Sequence, residues 1–164
     1  MRKKAGGTAS LEALVVDRGV IAGDEWLTVT AGGLHEALTL LKRSGFDYLC
    51  FMSAVDHLPD EPRFELVYQL RNMVEARGIR VRCFVAGPEP SVPTVSDVFP
   101  PANWDERETW DLFGIRFEGH PDLTRLLLPD DWVGHPLRRD YPVGGEAVDF
   151  SEDHRVWQTA PSEA

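Results

Sequence analysis

The sequence is short of the groups that hold redox centres. Only two cysteines occur in 164 residues, Cys50 and Cys83. An iron–sulfur cluster normally takes four thiolates and a structural zinc four Cys or His ligands, so neither has a local ligand set here. Both cysteines lie in apolar runs and are expected as buried free thiols in a reducing compartment, with a disulfide between them as the alternative. No G-x-G-x-x-G, P-loop or G-x-S-x-G occurs, so nucleotide binding and serine hydrolysis lack a motif. No apolar run approaches the roughly 20 residues of a membrane helix. The start, MRKKAGGTASLEALVV, has no unbroken apolar segment and no A-x-A-like cleavage site, so no signal peptide is expected. These absences together predict a soluble, intracellular chain.

Basic residues are also in the minority, 17 against 27 acidic, for a net charge of −10. General affinity for nucleic acid or anionic lipid is therefore disfavoured. The deficit is uneven. Residues 1–100 sum to −2, while residues 143–164 alone sum to −4 and predict an acidic tail.

Hydrophobic residues make up 43% of the chain, enough for one self-supporting core. Leu14–Ile21 and Trp26–Thr30, split by Gly23-Asp24, predict a hairpin. Leu34, Ala37, Leu38 and Leu41 recur at helical spacing, with Lys42 and Arg43 in the last turn and Gly45 beyond it. Asp47–Asp56 is apolar on both faces, which predicts a central strand. RFELVYQLR then alternates, with Phe64, Leu66, Tyr68 and Leu70 inward. IRVRCFV does the same with Ile79, Val81, Cys83 and Val85. Short links predict that these three strands form an antiparallel meander. A helical region near Val95–Phe99 and a helix from Asn103 follow. The predicted fold is α+β, one mostly antiparallel sheet with helices on one face.

After Gly114 the periodicity stops, and Pro121, Pro129, Pro136, Pro142 and Pro161 punctuate the remainder. A segment this long without regular structure is either functional or disordered. Phe117, Leu123, Leu126–Leu128, Trp132, Leu137 and Tyr141 make residues 116–142 too apolar for disorder. The expected organisation is an α+β core over 1–114, an extended arm over 115–145 and the acidic tail over 146–164. Part of the arm is expected to lie on another protein, with wrapping on its own core as the alternative.

Asn103 is expected to cap its helix with Glu106 at N3, and Arg107 and Asp111 to pair across one turn. Glu106 falls between Trp110 and Phe113, where a carboxylate must be paired, hydrogen-bonded or protonated. Two roles stay open for it: a general acid of raised pKa, or a capping glutamate with an Arg partner. The repeated Gly-His-Pro at 119–121 and 134–136, with Asp122 nearby, resembles a metal site only superficially. Its histidines lie 15 apart on loops, and tight turns with extended segments explain the pattern more simply. Arg125, Arg138 and Arg139 with Trp132 and Tyr141 could stack on nucleic acid, but residues 116–142 sum to −1. Trp, Tyr and Arg are also the side chains enriched in protein interface hot spots. The arm is expected to be an interface.

One stretch carries a family resemblance. Glu106-Arg107-Glu108, Asp111 with Phe113-Gly114, and Gly119-His120-Pro121-Asp122-Leu123 begin it. Arg125, Leu128-Pro129, Trp132 and Pro136-Leu137 followed by Arg138-Arg139-Asp140-Tyr141-Pro142 complete it. This pattern closely resembles the signature of the C subunit of NADH-quinone oxidoreductase, in the peripheral arm of respiratory complex I. Thr124, where a basic residue is common, and Arg139, where Lys is frequent, are mild departures. The resemblance implies a protein with no cofactor in this chain, flavin and iron–sulfur clusters residing in partner subunits. It further implies docking of the signature residues on the larger D subunit, next to the quinone site. The location it implies is peripheral to the cell inner membrane, on the cytoplasmic side, without membrane insertion. Two rivals remain: the equivalent subunit of a related membrane-bound hydrogenase or other-donor complex, and a free-standing acid–base enzyme using Glu106, Glu108 and His120.

Overall fold

The computed structural model describes residues 10–21 and 24–142 of the chain. The expected turn at Gly23 and the acidic tail lie outside the described residues. A short helix α1, Leu11–Leu14, leads into strands β1, Val15–Ile21, and β2, Asp24–Val29, which pair antiparallel as expected. Helix α2, Leu34–Arg43, buries the four predicted residues Leu34, Ala37, Leu38 and Leu41. Its C-terminus closes as a Schellman turn: the N–H of Phe46 donates to Leu41 O and that of Gly45 to Lys42 O. Gly45 supplies the left-handed φ of +100° that this closure requires.

Strands β3, Tyr48–Asp56, β4, Phe64–Asn72, and β5, Arg77–Val85, form the expected antiparallel meander. The two inward sets of residues are buried as their alternation predicts. The sheet order is β1-β2-β5-β4-β3, with β2 running parallel to β5. This corrects the expectation for β3, which is an edge strand rather than a central one. Its second apolar face, Tyr48, Phe51 and Val55, is 54%, 46% and 43% exposed. The sequence shows that face as apolar but not that the sheet leaves it uncovered. Cys50 is corrected with it. The register shifts between Leu49 and Phe51, so Cys50 sits in a bulge and is exposed, while Cys83 is buried.

A two-stranded parallel ribbon joins β6, Ser91–Pro93, to β7, Arg116–Glu118. Between them the expected helix at Val95–Phe99 is a single turn, in which Val98 and Phe99 both donate to Val95 O. Pro93 and the Pro100-Pro101 pair leave too few consecutive donors for more. Helix α3 spans Ala102–Phe113 and stops at Gly114, whose φ is +72°. The core between the sheet and α2 and α3 continues past Gly114, since Ile115 and Phe117 are buried within it.

Candidate functional site

The site is assembled around α3, and its first feature corrects the expected capping box. Helix α3 begins at Ala102 after Pro101 and has no side-chain cap. Asn103 is therefore already inside the first turn, and Glu106 is freed from the N-terminus. Glu106 reaches the β6 connection instead, accepting from Val95 N at 2.7 Å and Thr94 Oγ1 at 2.5 Å. It has no Arg partner among the described residues. Burial pushes its carboxyl up to about 7, against the lowering effect of those two donors.

The His120 imidazole is enclosed beside it, with Nε2 3.9 Å from Glu106 Oε2. Nδ1 of His120 accepts from Asp122 N at 3.1 Å, which assigns the ring proton to Nε2 and its donation to Asn103 O, also at 3.1 Å. Neither the Glu106 nor the His120 side chain has any solvent-exposed surface. Glu108 lies two residues on, about 200° around the helix, and is exposed. These three side chains do not converge on a space that a substrate could occupy. The geometry disfavours the acid–base enzyme.

Asp111 is the second node, and the expected pairing with Arg107 is also corrected. The fully buried Asp111 carboxylate accepts from the backbone N–H groups of Leu126, Leu127 and Leu128 at 2.8–3.0 Å and from Arg125 Nη1 at 2.6 Å. Burial alone would raise its pKa; these donors outweigh it and hold the carboxyl at about 2. Three consecutive N–H groups turned onto one oxygen make an anion nest, here filled by the protein's own side chain. Arg107 lies over the Trp104 ring and donates to Thr124 O, Thr124 Oγ1 and Arg125 O. Arg125 also donates to Trp132 O, so one guanidinium ties two turns of the following segment to α3.

The last turn of α3 explains the second Gly-His-Pro. A helix leaves its final carbonyls without intrahelical donors. Here the Gly114 N–H takes Trp110 O, His135 Nδ1 takes Asp111 O at 2.8 Å, and Leu137 N takes Leu112 O at 3.0 Å. Arg138 Nε takes Phe113 O at 2.5 Å, bringing a cation to the negative end of the helix. The close approach requires glycine at 114, since a Cβ there would lie 2.4 Å from the His135 ring and 2.6 Å from Arg138.

The Arg-Arg-Asp-Tyr-Pro motif closes the segment onto the sheet. Arg63 forms paired hydrogen bonds with Asp56, at 2.9 and 2.7 Å, and with Asp140, at 3.0 and 2.6 Å. Arg139 donates its backbone N–H to Asp56 Oδ2 and its guanidinium to Leu58 O. The Arg63 hydrogen bonds hold Asp56 well below the usual carboxylate range. Arg138 packs over Phe64, and Tyr141 donates to Val133 O.

The structure thus brings the signature residues together, but mostly turned toward the protein itself. Glu106, Asp111, Phe113 and the His120 ring are buried, and Leu123 packs against the core. Pro121, Asp122, Pro129, Arg139, Asp140 and Pro142 lie at the surface, with Leu128 and Trp132 half-buried. The outward apolar side chains of the segment are Leu127, Val133 and Leu137, at 61%, 85% and 51% exposure. Sequence reasoning did not single out Val133, Asp56 or Arg63. Val133 is one short apolar residue between Trp132 and Gly134 with no periodic pattern around it, and the arm residues that meet Asp56 and Arg63 lie about 80 residues away, so no local spacing reveals them.

Among the described residues no group of three or more His, Cys, Asp or Glu could hold a metal ion, and no helix is long and apolar enough to cross a membrane. What the fold defines is a small α+β domain with a long, polar-anchored strap across its helix layer. The model of the respiratory-chain NADH dehydrogenase 30 kDa subunit family matches residues 27–147, and the chain belongs to that family. It is 41% identical over 145 residues to the NADH-quinone oxidoreductase C subunit of Salinispora tropica, covering 86% of this chain and 58% of that protein. The corresponding C subunit of Herpetosiphon aurantiacus is 44% identical over 139 residues, covering 80% and 79%. The chain therefore spans somewhat under two thirds of the Salinispora relative.

Two solved structures are similar. One is Nqo5, as the trypsin-resistant fragment (1–134) in P63 form, with 34% identity and a TM-score of 0.61 over 65% of this chain and 89% of that one. The other belongs to the membrane-bound sulfane sulfur reductase, an archaeal respiratory membrane complex, with 25% identity and a TM-score of 0.72 over 93% and 89%.

Proposed function

We propose that this chain is a subunit of a proton-translocating NADH-quinone oxidoreductase, without a redox centre of its own. In this reading it docks on the larger D subunit next to the quinone site and supports electron transfer from NADH to quinone. Flavin and iron–sulfur clusters belong to partner subunits, and the complex holds the chain at the cytoplasmic side of the membrane. The docking arm is the segment 115–145, which starts inside the α+β core, where Ile115 and Phe117 are buried, and runs on over α3. The names of the relatives support the complex; the arm itself supports the docking.

The carrying observation is the way that arm is fixed. Asp111 and Arg107 tie its backbone to α3 and its own His135 and Arg138 side chains bond the last carbonyls of that helix, while Leu127, Val133 and Leu137 point away from the protein. A segment already ordered loses little conformational freedom on binding, so its outward apolar anchors contribute more of their burial energy to affinity. Within the signature, Arg125, Arg138, Arg139 and Asp140 then shape the arm, and the outward side chains with Trp132 make the contact. The test is purification from the native membrane through a tag on this chain. Recovery with a flavin- and cluster-bearing assembly that oxidises NADH supports the reading. Recovery of the chain alone contradicts it.

The likeness to the sulfane sulfur reductase complex favours one second reading, the equivalent subunit of a respiratory membrane complex with another electron donor. An assembly that contains the chain but leaves NADH unoxidised would select it.

A further inference from the structure

Two buried titratable groups, Glu106 and His120, have no part in the docking proposed for the arm, yet they join three segments of the chain. Glu106 stands on α3, with Oε1 held by Val95 N and Oε2 beside Thr94 Oγ1, both just past β6. His120 stands in the turn after β7, at the start of the arm. Its ring donates from Nε2 to Asn103 O on α3 and accepts from Asp122 N at Nδ1. Thr94 N also donates to Glu118 O, so the exit of β6 is fastened to the entry of the arm as well as to α3.

These hydrogen bonds accommodate a protonated Glu106 fully. Oε2–H donates to Thr94 Oγ1, which also accepts from Ser96 N at 3.2 Å and passes its own hydrogen to Ser96 Oγ at 2.9 Å. In the ionised state Thr94 reverses and donates to the carboxylate, but the charge gains no cation. Among the described residues no Lys or Arg lies within ion-pair distance of Glu106. The groups that face it are Asp97 from the turn after β6, Asp105 from α3 itself, the Tyr68 hydroxyl from β4 and His120 from the arm. Asp97 is held in turn by His35 of α2. The two aspartates oppose a charge at Glu106, and burial keeps the Tyr68 hydroxyl neutral. Compensation by His120 would need a second ring proton, on Nδ1, which would displace Asp122 N from its acceptor.

A buried carboxylate without a cation is relieved by water. Thr94, Ser96, Gly119 and Pro121 line a surface cleft with Asn103 and Trp104, and these four belong to no helix or strand. They can lift from the pair without breaking α3 or the five-stranded sheet. From this we propose that Glu106 and His120 form a proton-operated latch at the start of the arm. The latch is closed while Glu106 is protonated and opens when Glu106 ionises, freeing residues 94–96 and 119–122 from α3. The closed state holds the Glu106 carboxyl at about 7 against its ordinary 4.5, so closure is fully favoured below pH 4.5 and is lost as pH rises through 7. The consequence for docking rests on the arm reading: the start of the arm is better ordered in acid than in alkali. The opening itself does not depend on what the arm binds.

The test is amide hydrogen exchange of the full chain, followed by NMR and corrected for intrinsic rates, in the wild type and in Glu106→Gln. Between pH 6 and pH 8 the opening constant at the Val95 and Asp122 amides should rise roughly tenfold more in the wild type than in the variant. Low urea should leave these two amides unchanged while it speeds exchange in β4, which marks the opening as local. A check that needs no variant is the titration of the isotope-labelled Glu106 carboxyl, with a midpoint expected at about 7. The inference is overturned if Val95 and Asp122 exchange at the rate and with the urea dependence of β4, because the opening is then global. It is equally overturned if Glu106→Gln keeps the wild-type pH response, or if the Glu106 carboxyl titrates in the ordinary carboxylate range. A latch that opens as described in a chain that enters no assembly leaves this inference supported and counts against the docking arm alone.

Discussion

Asp111 Oδ1 meets Arg125 Nη1 at 2.6 Å inside the protein, while Asp111 Oδ2 gathers the N–H groups of the three residues that follow Arg125. One carboxylate therefore sets both the charge partner and the backbone path of the arm where it crosses α3.

Asp111→Ala removes that carboxylate, leaving the Arg125 guanidinium and three N–H groups unpaired. The expected destabilisation is about 3–5 kcal/mol. Limited trypsin digestion should then cut at Arg125, which the wild-type chain protects. The pH dependence has a definite sign. A folded pKa of about 2 lies below the usual value of 3.8, so this contribution is present above pH 4 and lost as pH falls toward 2. The window corresponds to roughly 2–3 kcal/mol. Melting between pH 2 and 5 checks it, with the slope reduced in Asp111→Asn.

Glu106 has the opposite sign. Its folded pKa of about 7 lies above its usual 4.5, so the folded state holds the proton more tightly than the unfolded chain. Stability should be highest below about pH 4.5 from this group and should decline as pH rises through 7, by about 3 kcal/mol in total. Glu106→Gln can still accept from Val95 N and can donate to Thr94 Oγ1. It should therefore flatten the profile between pH 5 and 8 rather than unfold the domain. Denaturant melts across that range are the measurement.

Arg63 joins the buried Asp56 to the surface Asp140. Arg63→Met strands Asp56 in a site 5% exposed and should cost about 3–5 kcal/mol. Asp140→Asn removes only the half-exposed partner and should cost about 0–1 kcal/mol. Chemical denaturation of the two variants should separate them clearly.

Gly114→Ala combines a left-handed φ with a Cβ that would lie 2.4 Å from the His135 ring. The expected cost is about 1–3 kcal/mol, with His135 and Arg138 displaced from the end of α3. Faster trypsin cleavage at Arg138 reports the displacement, and thermal melting reports the cost.

Much of this fold was legible because its elements follow short periods. Leu34 to Leu41 marked α2 by 3.6-residue spacing, and Phe64 to Leu70 and Ile79 to Val85 marked β4 and β5 by alternation. The edge position of β3 was not legible, since Phe51 and Val55 have the same composition whether covered or open. Asn103 satisfied the capping-box pattern, yet Pro100 and Pro101 start the helix one residue earlier, and Glu106 turns to Val95. Arg107 and Asp111 had ideal spacing for each other, but the better-matched partners came from residues 124–128. The signature marked the arm by its residues; only the folded chain reveals that many of them cap and anchor α3.

The most direct measurement is the fate of a chain carrying Leu127→Asp, Val133→Asp and Leu137→Asp, expressed in place of the native subunit. These side chains point outward, so the isolated protein should keep the wild-type circular dichroism and a melting temperature within about 4 °C, a shift equivalent to roughly 1–2 kcal/mol. Three charges on an apolar docking surface should exclude it from the assembly, and membrane NADH:quinone activity should fall at least tenfold. A folded triple variant recovered in the complex at wild-type abundance, with full activity, would contradict the docking arm.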